Sequence, residues 1–145
     1  MSIEQVARDF IAQMDDMQKT QSRFSPNAMV SGGPLPAPMP ATEAMGIMSA
    51  LKTAFPDLQM HVDKVTVNGN QAKVDATWSG TQTGSLALPV PGMPSLPATG
   101  KKVNVKDSYL VTVDGDKVSR MEVQSPADGG IPGALAQLGM KVPGM

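Results

Sequence analysis

An α+β fold follows from three features of this 145-residue chain. Apolar residues recur at helical spacing in the N-terminal part. From residue 58 onward they recur at every second position. Short turns carrying Gly, Asn and Asp separate those later segments. Helices first and hairpin strands afterwards place the helices on one face of a curved antiparallel sheet. The length fits a single domain, residues 1–145, with a core of its own.

Ser2 is placed to cap the first helix, and Gln5 three residues on completes a capping box. Ile3, Val6, Ala7, Phe10, Ile11 and Met14 then share one apolar face. Asp15 or Asp16 caps a second short helix that runs to about Arg23. "RFSPNAMVSGG" ends it, with a short strand over residues 28–31. "GGPLPAPMPA", residues 32–41, holds four prolines and no charge, which favours polyproline geometry. Thr42 is placed to cap a third helix with an apolar face of Ala44, Met45, Ile47, Met48, Leu51, Ala54 and Phe55. Pro56 stops it, because the residue before proline avoids helix.

The period then changes to two. Leu58, Met60 and Val62 alternate with polar residues, and the apolar parity switches to Val65 and Val67. Such a switch within one strand is the signature of a bulge, expected at Asp63–Lys64. "NGN" at 68–70 is a hairpin turn. Ala72, Val74, Ala76 and Trp78 form the next inward face, and Lys73, Asp75, Thr77 and Ser79 the outward one. A second proline-rich loop follows over residues 86–98, uncharged throughout. Val103, Val105, Tyr109, Val111 and Val113 share a face, "DGD" at 114–116 turns the chain, and residues 118–123 form the last strand. "IPGALAQLGM" reads as a short helix with Pro132 in its first turn.

Composition narrows the function. Net charge is −1 with both signs interspersed, so nucleic acid is not an expected partner. With no cysteine and one histidine, neither disulfides nor a transition-metal site are expected, and the reading assigns no cofactor. No apolar run reaches membrane-spanning length. "MSIEQVARDFIAQM" carries Glu4, Arg8 and Asp9 and does not read as a signal peptide, so the expected location is cytoplasmic. The 12 methionines against five aromatic side chains (three Phe, one Tyr, one Trp) fit a Met-rich core or an adaptable pocket.

"ALKTAFPDLQMHVDKV", then "GTQTG", "PATGKKVNV" and "DGDKVSRMEV", in that order, resemble the SnoaL-like polyketide cyclase family. That family lies within the nuclear transport factor 2-like superfamily, together with ketosteroid isomerases. The resemblance spans roughly residues 45–142. It implies a cone of sheet and helices around an apolar cavity, an apolar small molecule as ligand, and a homodimer paired through the open sheet face. It also implies that the longer loop at 86–96 is a lid, a subunit contact, or a segment tucked onto its own sheet. Family enzymes remove a proton next to a carbonyl with a base, and stabilise the enolate with a donor. The chain departs from the family pattern at Gln82, where a His is frequent. Arg120, Met121, Glu122 and Val123 stand where acidic residues are common. Ala28, Met29, Val30 and Ser31 stand where ketosteroid isomerases carry their base.

Among polar residues on apolar faces, Asp107 leads. It shares the parity of Val103, Val105, Tyr109 and Val111, so it is either an inward carboxylate, paired or functional, or one at a bulge or strand end that points to solvent. With Tyr109 as oxyanion donor it forms the candidate catalytic pair. Met14, Met29, Met60, Trp78 and Met121 are candidate ligand contacts. His61, the sole histidine, is another, although its parity opposes Met60 and Val62. Two functions follow: a small-molecule-binding protein without catalysis, or an isomerase or polyketide or ester cyclase using Asp107 and Tyr109.

Overall fold

The computed structural model describes residues 2–32, 35, 37–87, 95–126 and 129–139. Among these residues four helices and six strands follow the order α1 (Ile3–Ala12), α2 (Met17–Arg23), β1 (Phe24–Gly32), β2 (Met39–Pro40), α3 (Ala41–Ala54), β3 (Gln59–Asn68), β4 (Gln71–Thr81), β5 (Lys102–Asp114), β6 (Lys117–Val123) and α4 (Gly130–Gln137). The strands form one open sheet in the order β2-β1-β6-β5-β4-β3. Among the described residues no helix is long and apolar enough to cross a membrane.

The sheet is mixed, which corrects the all-antiparallel expectation. β1 pairs with β6 in parallel, Val30 opposite Met121 and Gly32 opposite Val123. Hairpins force antiparallel pairing only between neighbours in sequence, and β1 and β6 are joined by most of the chain. Strands β3 to β6 are hairpin-linked and antiparallel. The register shift between Val62 and Lys64 is the bulge that the parity switch required.

Ser2 caps α1 by accepting from the Gln5 amide at 3.1 Å. The capping box is only half made, because the Gln5 side chain turns to Asp9 at 2.8 Å. Asp16, and not Asp15, caps α2 by accepting from the Lys19 amide at 3.1 Å. α3 starts one residue before Thr42, with Pro40 at its N-cap and no side-chain cap, since proline carries no side-chain acceptor. β1 is longer than the segment 28–31 and starts directly where α2 ends.

Two buried clusters make the core. One joins α1 to the central strands through Val6, Phe10, Ile11, Val74, Val111 and Val118. The other joins α3 and α4 to the far end of the sheet through Leu51, Phe55, Trp78, Val103 and Leu135. Leu35, Met48 and Met60 pack against both, at their seam. Val67, on the parity of the apolar face, runs past the core and is 44% exposed.

The base of the 86–98 loop is fastened from inside. Leu86 and Leu96 exchange backbone hydrogen bonds of 2.8 Å, and Leu86 is buried in the second cluster. Gln82, fully buried, donates to the carbonyls of Leu96 and Pro97 and accepts from Thr99 Oγ1 at 2.6 Å. Residues 88–94, and with them the lid or contact expectation, lie outside the described residues, as do residues 33, 34 and 36 of the first proline-rich stretch.

Gly84 shows why the "GTQTG" segment ends on glycine. A Cβ there would sit 2.2 Å from the Thr53 carbonyl oxygen at the end of α3. Gly84→Ala is expected to destabilise by on the order of 2 kcal/mol, because rigid backbone must move. Urea unfolding measures it, and an unchanged midpoint would mean that α3 yields freely at Thr53.

Candidate functional site

The inward face of β5 carries one break in its apolar run, and that break is Asp107. Its cross-strand partner on β4 is Ala76, whose small side chain leaves room for a carboxylate. Asp107 is 6% exposed and Tyr109 is 5% exposed. The alternative of an outward Asp107 at a bulge is thereby corrected: β4 and β5 stay in register through this position.

Hydrogen-bond donors replace water around the buried carboxylate. Oδ1 accepts from the Ser108 amide at 2.9 Å and from the Ser125 hydroxyl at 2.7 Å. Oδ2 accepts from the Tyr109 hydroxyl at 3.1 Å. The Trp78 indole is a further, weaker donor. Burial pushes the Asp107 carboxyl above the usual carboxylate range, and the donors, Ser125 first, pull it back only in part. Burial, and then the charge of Asp107, hold the Tyr109 phenol well above its ordinary value. Tyr109 therefore stays a proton donor across the whole physiological range.

Asp107, Tyr109 and Ser125 line one side of a pocket of about 80 Å³ between the sheet and α1 to α3. Apolar side chains make up most of the remaining wall, among them Phe10, Leu51, Leu58, Trp78 and Ile131. Met14, Met60 and Met121 line it as well, joined by Met45 and Met48 of α3. Thr20 is a polar exception, but its hydroxyl is turned to the carbonyls of Gln13 and Asp16 at 3.0 and 2.9 Å.

Two candidate contacts lie elsewhere. The His61 side chain is 80% exposed and faces Asp63 at 3.5 Å on the outer face of the sheet. Its parity decides this, since Met60 takes the inward place beside Trp78. Met29 is half-buried and lines a separate hollow between α2, β1 and the start of α3. Gln82 lies away from the pocket, so its departure from the family pattern does not touch Asp107.

Ser125 was not among the candidates from sequence. It continues the parity of Met121 and Val123 two residues beyond β6, and the Gln124 amide extends the ladder by donating to the Ser108 carbonyl at 2.8 Å. Extending the strand register past Val123 would have found it.

The profile of the SnoaL-like polyketide cyclase family matches residues 4–124. Solved structures share the fold over nearly the whole chain. AclR, a candidate hydroxylase from Streptomyces galilaeus, superposes with a TM-score of 0.74 at 19% identity, covering 99% of this chain and 83% of its own. IdmH, a candidate polyketide cyclase from Streptomyces antibioticus, gives 0.73 at 17% identity, covering 97% and 100%. A protein of ketosteroid isomerase-like fold from Catenulispora acidiphila, in complex with trimethylamine, gives 0.69 at 12% identity, covering 97% and 96%. At such identities the likeness concerns the fold alone. No protein of curated function matches the sequence. The family profile nevertheless takes in most of the chain, with the Asp107 strand and all of the pocket lining except Ser125 and Ile131, and the chain belongs to the SnoaL-like polyketide cyclase family.

Proposed function

We propose that this protein is an acid–base catalyst that removes a proton next to the carbonyl of a small, largely hydrocarbon substrate. Asp107 is the base. The observation that carries the reading is a carboxylate 6% exposed on an apolar pocket wall, with a phenol donor 3.1 Å away. A protein that only binds an apolar molecule has no need of such a group, which costs stability to bury.

Ionised Asp107 takes the α-proton, the C–H electron pair becomes the new C=C bond, and the carbonyl π pair moves onto oxygen to give the enolate. Once protonated, Asp107 no longer holds the Tyr109 hydroxyl by charge, and that hydroxyl turns to the enolate oxygen. An isomerase then returns the proton to another carbon. A cyclase lets the enolate carbon attack a second carbonyl of the same molecule, whose oxygen takes the proton.

The wall favours a substrate with its polar atoms at one end. Apart from Thr20, the hydrogen-bonding side chains of the lining, Asp107, Tyr109, Ser125 and the Trp78 indole, all lie together. At about 80 Å³ the pocket is smaller than the roughly 300 Å³ at which drug-sized ligand sites begin. Its five methionines are flexible and can yield to a larger guest.

The isomerisation of 3-cyclohexenone to its conjugated isomer reports this proton transfer by ultraviolet absorbance. The protein is expected to accelerate it, with a rate that rises with pH as Asp107 ionises. Asp107→Asn is expected to lose about 100-fold or more, the usual worth of a positioned base. Equal rates for the two proteins would overturn the reading.

The raised carboxyl also sets a stability trend. Folded Asp107 holds its proton more tightly than the unfolded chain does. Its contribution is therefore fully present below the ordinary carboxylate range and is lost as pH rises through the folded value. Urea midpoints measured across that window should fall less steeply with pH for Asp107→Asn than for the unaltered protein.

A further inference from the structure

We propose that Ser125 is a positioning residue that engages Oδ1 of Asp107 and leaves Oδ2 as the oxygen that takes the substrate proton. The inference rests on Asp107 being the base. A carboxylate oxygen offers two in-plane lone-pair directions. At Oδ1 both are taken, by the Ser108 amide at 2.9 Å and the Ser125 hydroxyl at 2.7 Å. Oδ2 holds the longer bond, 3.1 Å, from a phenol that can swing away. A proton arriving from the pocket therefore meets Oδ2.

The position of Ser125 is built by the chain that follows it. The segment after β6 bends back through Pro126, whose carbonyl accepts from the Gly129 amide at 3.0 Å, and α4 begins at once. Gly130 has φ +60°, and a Cβ there would sit 2.2 Å from Ser125 Oγ and 3.3 Å from Asp107 Oδ2. A Cβ on Gly129 would sit 2.1 Å from the Lys106 carbonyl oxygen. The glycine pair thus lets the first turn of α4 press onto β5 and hold the serine hydroxyl against the carboxylate. Alanine at 130 would displace that hydroxyl.

Little else facing Asp107 confuses a test. β4 presents Ala76 and Trp78, the extension of β6 presents Ser125, and α4 presents Gly130. β5 itself adds Tyr109, the titratable neighbour, and it stays protonated at neutral pH.

The test follows the Asp107 carboxyl directly by ¹³C NMR titration of aspartate-labelled protein, and in parallel the pH profile of 3-cyclohexenone isomerisation. Ser125→Ala is expected to raise the carboxyl midpoint by about one pH unit, the effect of losing one donor to a charged group. The same variant should move the rate profile upward alike and lower kcat about tenfold with KM held, because the carboxylate is no longer oriented. Ser125→Thr, which keeps the hydroxyl, should restore both midpoints, and Gly130→Ala should mimic Ser125→Ala. A carboxyl midpoint in Ser125→Ala equal to that of the unaltered protein would overturn the proposal, as would an unchanged kcat. Should the unaltered protein fail to isomerise the ketone while the carboxyl midpoint still moves, the hold of Ser125 on Asp107 stands and the catalytic reading falls.

Discussion

A carboxylate placed inside an apolar wall loses its hydration, and the protein must return donors or lose the charge. That requirement organises this molecule around Asp107. A backbone amide, a serine, a tyrosine and an indole converge on it from β5, the segment beyond β6, and β4. Ala76 stays small to make room, and the first turn of α4 closes the remaining side with glycine. None of these groups neutralises the desolvation, and the carboxyl keeps a raised proton affinity. A base that must be ionised to react yet recover its proton gains from that compromise.

The sheet supplies the geometry. Its bulge between Val62 and Lys64 bends β3 so that Met60 and Val62 face inward on one side of the bend and Val65 on the other. The helices fill the concave side in two clusters, and the pocket takes residues from both. A seam between clusters is where packing is least determined. Methionine occupies it, because an unbranched thioether adapts to a gap that a branched side chain would fill rigidly or leave open. The small volume and the flexible lining are two sides of one arrangement.

Stability and function pull apart at this site. An apolar residue at 107 would join Val105 and Val111 in the core without needing four donors. The chain instead keeps a carboxylate where it opposes folding above its folded ionisation range, and spends Ser125, Tyr109 and the Gly129–Gly130 pair on holding it. Local choices that weaken a core in this way gather at functional sites.

The sequence alone carried the helix faces, the α3 stop at Pro56, the bulge, the hairpin turns and the parity that Asp107 shares with Tyr109. All of these are local: spacing, capping and turn chemistry act over a few residues, and short-range sterics decide them. The parallel pairing of β1 with β6 was not legible, because no turn links those strands and their direction depends on how the intervening chain returns. His61 and Met29 entered the candidate set by residue type, and only the packed sheet showed them outside the pocket. Ser125 lies in a stretch with no regular pattern of its own, so its role came from the ladder extending past Val123. Met14 comes from the turn after α1 and Met60, Trp78 and Met121 from three different strands, and their meeting beside Asp107 is a long-range fact. Periodicity says which side of an element is buried; which buried sides share a pocket is settled by the tertiary fold, where each contact depends on the placement of all the others.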